Sequence, residues 1–162
     1  SIVLTTLTRT RSDRPSMMPS RVRERSSSVG AVTNEAQRPP NPAIRVSMMP
    51  ADTNAHGTIF GGKILSLIDQ AGAIAAHQIG VARVVTVAMH EVVFRHPVEV
   101  GDIVSCYAEV VKVGRTSVTV RVRVAAHRPT DVQHSVDVTT AEVVYVHVDD
   151  TGRPISIVAQ GF

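Results

Sequence analysis

Apolar and polar residues alternate along much of the second half of the chain. The clearest case runs from Val118 to Val124, where every second residue is valine and the residues between are threonine or arginine. Such alternation is typical of a strand with one buried face and one wet face in an antiparallel sheet. The same criterion predicts five extended segments, at residues 43–49, 84–95, 103–113, 116–126 and 136–148. Gly101 and Gly114 lie where tight connections between antiparallel neighbours are expected.

A helical pattern of about five turns follows the pair Gly61-Gly62. At 100° per residue, the side chains of Ser66, Gln70 and His77 fall within a narrow wedge, and apolar residues occupy most of the remaining circumference. Such a helix is buried on nearly all sides. One strand, one helix and then four strands predict an α+β domain, in which an antiparallel sheet packs on a single long helix.

The first 42 residues differ in composition from the rest. They hold five of the nine prolines and a serine run at 26–28, and they carry seven arginines against three acidic residues. The rest of the chain is therefore close to neutral. This composition predicts a disordered basic arm at 1–42 and one folded domain at 43–162. An arginine- and serine-rich start could also be an organelle transit peptide.

Composition excludes several classes of function. Aromatic residues make up 3% of the chain and tryptophan is absent, so platforms for base stacking are scarce and a nucleic-acid partner is not expected. The single cysteine, Cys106, permits no internal disulfide, which favours a reducing compartment such as the cytoplasm. No uninterrupted apolar run reaches eighteen residues, so no membrane span is expected. The seven histidines lack metal-ligand spacing, and neither a metal nor another cofactor is predicted.

The long helix contains one carboxylate outside its polar wedge, Asp69. It shares an arc with Leu65 and the small residues Gly72, Ala73 and Ala76, which leave room for a ligand. A carboxylate in such a place is a candidate general base or nucleophile. It could also lie at the rim of the wet wedge and only solvate the helix.

The loop before the helix holds further candidates. Free N–H groups at a helix start can hydrogen-bond a carbonyl oxygen as negative charge grows on it, which makes Gly61 and Gly62 a candidate oxyanion site. Asn54 could position water or a carbonyl group, and His56 could act as a general base, although a loop asparagine usually bonds its own backbone.

A phosphate site has one plausible place, the turn that contains Arg115, Thr116 and Ser117. A guanidinium, two hydroxyls and turn amides could gather there around an anion. A simple hairpin turn would have a similar sequence.

Four segments in order resemble the hot-dog-fold acyl-CoA thioesterases of the cytosolic long-chain acyl-CoA hydrolase type. They read PADTNAHGTIFGGKILSLIDQAG, then RVVTV, then F-x-x-P-V-x-x-GD, then VGRTS. The resemblance covers about residues 43–148. It implies a hot-dog fold, in which a curved five-stranded antiparallel sheet wraps around one long central helix. It also implies homodimers in which two sheets become continuous, often assembled as trimers of dimers.

The resemblance implies hydrolysis of acyl-CoA to free fatty acid and CoA in the cytoplasm, without a cofactor. Asp69 takes the place of the helix aspartate, as base or nucleophile, and Asn54 that of the loop asparagine. Gly61 and Gly62 match the segment that polarises the thioester carbonyl. The family's sharing of sites also implies that Asn54 of one protomer meets Asp69 of its partner.

The substrate-binding positions follow from the same resemblance. Arg115, Thr116 and Ser117 match the turn at the nucleotide and phosphate end of coenzyme A, and Arg83 is a further contact. Thr58 stands where some bacterial members carry aspartate, and many members have an acidic residue where this chain has His90. The acyl-chain preference is therefore not carried over.

Two other classes of function stay open. A hot-dog hydroxyacyl-thioester dehydratase would use a histidine with a carboxylate, a role that His56 could fill. A non-catalytic acyl-CoA sensor would use the basic arm to contact DNA or a partner protein. The sequence decides neither the acyl chain length nor whether Asp69 is a base or a nucleophile.

Overall fold

A computed structural model describes residues 41–131 and 134–157. The predicted arm, all but its last two residues, lies outside the described residues. The elements in chain order are β1 Ile44–Ser47, a short 3-10 helix Pro50–Asp52, α1 Gly61–Gln78, β2 Val84–His90, β3 Ile103–Val113, β4 Ser117–His127 and β5 Ser135–His147.

The five strands form one antiparallel sheet in the order β1-β3-β4-β5-β2. The sheet curls around α1, which packs against β2, β3, β4 and β5. The α+β fold class predicted from the sequence, with one long helix on a five-stranded antiparallel sheet, is therefore confirmed. Within the described residues, no helix is long and apolar enough to cross a membrane.

The alternation in β4 has the expected physical result. Its inward valines, Val118 to Val124 at every second position, are fully buried, while Arg121 and Arg123 remain exposed on the outer face. Those two arginines pair across the ladder to β5 with Glu142 and Asp137. One face of the sheet thus supplies the core beneath α1, and the other is charged and wet.

Helix α1 begins without a side-chain cap, at Gly61, and ends before Gly80, whose φ of +84° is the left-handed conformation common after a helix C-terminus. Its buried side contains Ile64, Leu67, Ile68, Ala71, Gly72, Ala75 and Ala76. The run of small residues in its second half lets β5 approach closely, which matters for the site described below.

Two expectations about the strands are wrong. The segment predicted at 84–95 ends as a strand at His90, because Glu91 has a positive φ of 54°. Gly101 does not connect neighbouring strands, because β2 pairs with β5 and β3 pairs with β1 and β4. Instead, the Gly101 amide donates to the Met48 carbonyl and aligns the chain that enters β3 beside the end of β1. The turn at Gly114 does connect neighbours, β3 and β4, as expected.

Strand β2 forms one edge of the sheet and is largely exposed. Val85 and Val87 have exposed fractions of 45% and 56%. An apolar edge strand of seven residues offers unpaired N–H and C=O groups to a second chain.

Candidate active site

Asp69 lies half-buried on α1, against strand β2. The Thr86 hydroxyl of β2 donates a hydrogen bond to its Oδ1 oxygen. The other carboxylate oxygen, Oδ2, accepts no hydrogen bond from the part of the chain that the structure describes. Asp69 is therefore held at one carboxylate oxygen, and the other is unpaired within the described residues.

Tyr145 of β5 holds the main chain of the same residue. Its hydroxyl donates to the Asp69 carbonyl oxygen at 2.7 Å, and the side chain is buried. Burial raises the pKa of the Tyr145 phenol, the charge of Asp69 raises it further, and a hydrogen bond with the Ala73 backbone acts against both. Tyr145 is directly opposite Thr86 in the β2–β5 register, so one cross-strand pair contacts Asp69 at two points.

Gly72 makes the Tyr145 contact possible. A Cβ atom at this position would lie 2.1 Å from the Tyr145 hydroxyl oxygen, closer than any real contact. Sequence reasoning missed both Tyr145 and Thr86. The sequence does single out Tyr145. It falls at one of the alternate positions of a valine-rich strand whose side chains face the core, and a buried tyrosine needs a hydrogen-bond partner for its hydroxyl.

The start of α1 offers two free donors. The amides of Gly61 and Gly62 make no hydrogen bond to an acceptor among residues 41–131 and 134–157, and the Lys63 amide already donates to the Phe60 carbonyl. The first N–H groups of a helix point outward along its axis and favour negative charge. The two amides predicted as oxyanion donors are therefore unpaired among the described residues, and their role stays a prediction.

Open space flanks both glycines. A recess of about 370 Å³ beside Gly62 is bordered by Phe60 and Lys63. A second recess, of about 290 Å³, lies beside Gly61 and Phe94. The Phe60 ring packs directly on Gly62. The contact is so close that a Cβ atom at this position would lie 2.2 Å from the ring.

Asp52 anchors the loop that precedes the helix. It accepts a hydrogen bond from the Met49 amide and forms an ion pair of 3.0 Å with Lys63. The Met49 hydrogen bond, followed by the Lys63 side chain, holds the pKa of Asp52 below its ordinary value. Both oxygens of this carboxylate are thus used to fix the loop.

Asn54 lies in a tight turn that closes on itself. Its Oδ1 accepts from the His56 amide at 2.8 Å, and its Nδ2 donates to the Thr58 hydroxyl at 2.9 Å. An asparagine side chain offers two donor hydrogens and two acceptor lone pairs. One donor and one acceptor site of Asn54 therefore remain available. The turn also gives Thr58 a role in shaping the loop.

The predicted phosphate-binding residues gather at one end of the sheet. The carbonyl of Thr116 accepts from the His147 amide, and the carbonyl of Arg83 accepts from the adjacent Val148 amide. The two segments therefore flank the end of β5, about 10 Å apart across two strand spacings. Arg115 and Ser117 belong to the first of these segments. The Arg83 guanidinium forms an exposed ion pair with Asp150.

The structure does not bring all of the predicted catalytic residues together within one chain. Asp69 lies seven residues after Gly62, or ~10 Å along the helix axis. No hydrogen bond joins Asn54 to Asp69 in the described ranges, and the bonds of the Asn54 side chain stay within its own turn. His56 is exposed and none of the described carboxylates pairs with it.

Comparison with known proteins places this geometry in a family. The model of the thioesterase superfamily matches residues 56–132. The acyl-CoA thioester hydrolase YciA of Salmonella typhimurium is 43% identical over 122 residues, which cover 73% of this chain and 90% of the relative. Among solved structures, a hexameric hot-dog-fold thioesterase of Campylobacter jejuni is 48% identical with a TM-score of 0.69, over 73% of this chain and 90% of that one.

A more distant structure adds a ligand-bound case. The acyl-CoA hydrolase of Staphylococcus aureus, solved in complex with butyryl coenzyme A, coenzyme A and coenzyme A disulfide, is 30% identical with a TM-score of 0.65, and the match covers 72% of this chain and 70% of that one. Sequence identity across most of the relatives' length and the shared architecture agree with each other. The chain belongs to the thioesterase superfamily and has its hot-dog fold.

Proposed function

We propose that this protein hydrolyses acyl-CoA to a free carboxylic acid and coenzyme A, with Asp69 as the residue that delivers the attack. The observation that carries the proposal is that one helix bears two features that the reaction needs. A carboxylate fixed at one oxygen by Thr86 keeps its other oxygen available, and the two free amides at Gly61 and Gly62 offer an oxyanion site. The relatives named above as acyl-CoA hydrolases support the substrate class.

The proposed reaction is a hydrolysis that uses one water molecule. Water adds to the thioester carbonyl carbon, a C–O bond forms, the C–S bond breaks, and one proton passes from water to the thiolate sulfur. As a base, Asp69 would take that proton and hand it to sulfur. As a nucleophile, it would form a mixed anhydride that water then cleaves. In either case the growing charge on the carbonyl oxygen is stabilised by the glycine amides.

The site is shared between two protomers. A carbonyl oxygen bound by the Gly61 and Gly62 amides lies ~3 Å from them, whereas Asp69 of the same chain is ~10 Å further along the helix. A substrate therefore reaches glycine amides from one chain and Asp69 from another. The remaining donor and acceptor of Asn54 then face the partner's substrate, beside the glycines of its own chain.

Strand β2 is the proposed dimer contact. It is an apolar edge strand, and Thr86 at its centre touches Asp69. Antiparallel pairing of two copies of β2 would join the sheets, cover Val85 and Val87, and create two equivalent sites around a two-fold axis. The Campylobacter jejuni relative is described as a hexamer, which is compatible with a trimer of such dimers.

Arg115, Thr116 and Ser117, together with Arg83, form the proposed site for the phosphates of coenzyme A. Their two segments flank one strand end, and Arg115 makes no ion pair in the described part of the chain. Binding at Arg83 would require release of Asp150, which costs little because exposed ion pairs contribute ~1 kcal/mol or less. The arm at 1–42, a cytoplasmic location and the absence of a cofactor remain predictions from the sequence.

A free-thiol assay with acyl-CoA substrates of different chain lengths tests the activity. Thiol release matched by free acid is the expected result. Formation of enoyl-CoA without free thiol would instead identify a dehydratase, a role for which His56 lacks a carboxylate partner in the described residues. Tight binding with no turnover would identify a sensor. Either of these outcomes would contradict the proposal.

Asp69→Asn should abolish most turnover and leave the fold intact. The amide is nearly isosteric and can still accept the Thr86 hydrogen bond, but it can act as neither base nor nucleophile. We expect kcat to fall by at least ~10²-fold, with a smaller change in KM because the thioester still docks. The matched control is Asp52→Asn, because Asp52 precedes α1 and both of its carboxylate oxygens fix the loop. Equal kcat values for the parent and the Asp69 variant would remove Asp69 from the mechanism.

A further inference from the structure

We propose that Tyr145 is a positioning residue for Asp69, acting through the helix backbone. The inference rests on the proposed role of Asp69. The Tyr145 hydroxyl is buried and takes no part in the reaction itself. Its task in this proposal is to align the carboxylate of Asp69.

The first step of the argument is the place of the hydroxyl in the hydrogen bonds of the helix. In an α-helix, the carbonyl of Asp69 would accept from the amide of Ala73, four residues later. The Tyr145 hydroxyl donates a further hydrogen bond to that carbonyl oxygen, at 2.7 Å, which a carbonyl can accept because it has two lone pairs. The hydroxyl thus ties β5 to the main chain of the helix at the turn that carries Asp69.

The second step is that the chain is built to admit this hydroxyl. Gly72 leaves the space that the phenol oxygen fills, and a Cβ atom there would collide with it at 2.1 Å. Glycine in a helix interior costs ~0.5–1 kcal/mol relative to alanine. Its presence at this position is explained by the close approach of Tyr145.

The third step is the link to the carboxylate. Thr86 and Tyr145 are directly opposite each other on paired strands, and they hold Asp69 by its side chain and by its main chain. Two anchors from one rigid pair of strands fix both the backbone turn and the side-chain direction. Misplacement of a reacting group by ~1 Å can cost ~10²-fold in rate, so the backbone anchor matters for turnover.

Tyr145→Phe tests the proposal directly, because it removes the hydroxyl and keeps the buried ring. We expect kcat to fall by ~10-fold or more with KM within about twofold, since the proposed contacts to coenzyme A are made by Arg83 and by Arg115, Thr116 and Ser117 and not by Tyr145. Tyr107→Phe is the matched control, because the Tyr107 ring stacks with the exposed Arg123 on the outer face of the sheet. It should leave both constants unchanged.

A double-mutant cycle separates positioning from general stability. If Tyr145 acts through Asp69, Tyr145→Phe should have no further effect on the residual turnover of Asp69→Asn. The same fractional loss in both backgrounds, or a kcat within twofold of the parent in the folded single variant, would overturn the proposal. Retention of full activity by Asp69→Asn would instead contradict the proposed function, and the positioning role of Tyr145 would fall with it.

A second measurement applies if Tyr145→Phe fails to fold. Tyr145 and Tyr107 are the two tyrosines of the chain. In a Tyr107→Phe background, 3-fluorotyrosine therefore labels Tyr145 alone and keeps its ring and hydroxyl while changing the strength of the donor. A change in kcat at constant KM is expected, and identical kcat values for labelled and unlabelled protein would overturn the proposal.

Discussion

Two carboxylates near helix α1 have different hydrogen-bond partners and therefore different tasks. One carboxylate oxygen of Asp52 accepts a hydrogen bond from the Met49 amide, and the other forms an ion pair with Lys63. These contacts hold the pKa of Asp52 below its ordinary value. One carboxylate oxygen of Asp69 accepts a hydrogen bond from the Thr86 hydroxyl, and its main-chain carbonyl accepts one from Tyr145. A carboxylate saturated by its own chain stabilises a loop, whereas one that is fixed but not saturated can take part in chemistry.

Arg115→Ala should weaken binding of acyl-CoA without affecting the chemical step. Loss of one charge-assisted contact to a phosphate should raise KM by ~10-fold or more, with kcat nearly unchanged. Hydrolysis of an N-acetylcysteamine thioester, which lacks the nucleotide, should hardly change. Arg121→Ala, on the outer face of the sheet, is the matched control. Equal losses on both substrates would mean that Arg115 serves the fold or the carbonyl instead.

Cys106 should make the protein less stable at alkaline pH. Burial raises the pKa of this thiol from 9.0 to about 11 in the folded state. The unfolded chain therefore loses the proton first, so stability is fully present below pH ~9 and is lost as pH rises through ~11. The loss attributable to this thiol is up to about 3 kcal/mol.

The variant Cys106→Ala isolates this contribution. Its free energy of unfolding should be lower than that of the parent at pH ~8 because of the cavity it leaves, but it should fall less than that of the parent between pH ~8 and pH ~10.5. Urea unfolding at both values measures the difference. Parallel declines in the two proteins would show that the thiol does not titrate in this way.

At the scale of elements, the sequence predicted the helix and strand segments well because their signals are local. The helix begins at Gly61 as expected, and β3 has the predicted bounds of 103–113. Strand order was not accessible in this way. Alternation indicates which face of a strand is buried, but it does not say which strands are neighbours, so the pairing of β2 with β5 was not foreseen.

The missed part of the site follows from the missed strand order. Thr86 and Tyr145 are 17 and 76 residues from Asp69 in the sequence, and they meet it because β2 and β5 are paired beneath the helix. Asp69, Gly61 and Gly62 were selected from local sequence features and the family resemblance. The residues that hold Asp69 depend on tertiary contacts that those features do not encode.

Gly72→Ala tests the close approach of β5 to the helix. Alanine normally stabilises an exposed helix interior, but here its Cβ would collide with the Tyr145 hydroxyl and ring. We expect the free energy of unfolding to fall by ~1–3 kcal/mol, as is common for overpacking. Gln70→Ala, at an exposed position of the same helix, should change it by less than about 0.5 kcal/mol. A Gly72 variant as stable as the parent, measured by urea unfolding, would contradict the packing described.

At the scale of the whole molecule, the proposed function assigns to one chain two halves of different sites. The start of α1 offers oxyanion donors, and the middle of α1 offers the carboxylate, ~10 Å away and against the exposed edge strand. A two-fold pairing through β2 would bring each half to the other half on the partner. Under the proposed mechanism, separation of the two halves along one helix would make assembly a condition for activity.

Complementation between two inactive variants tests this shared site most directly. Asn54→Ala and Asp69→Ala, each nearly inactive alone, are co-refolded in equal amounts, and subunit exchange is verified independently. In a mixed dimer, one site carries both lesions and the other carries neither. Since half of the randomly formed dimers are mixed and half of their sites are intact, activity should recover to roughly a quarter of the parent value. No recovery despite verified exchange would place both residues in the site of one chain and contradict the account.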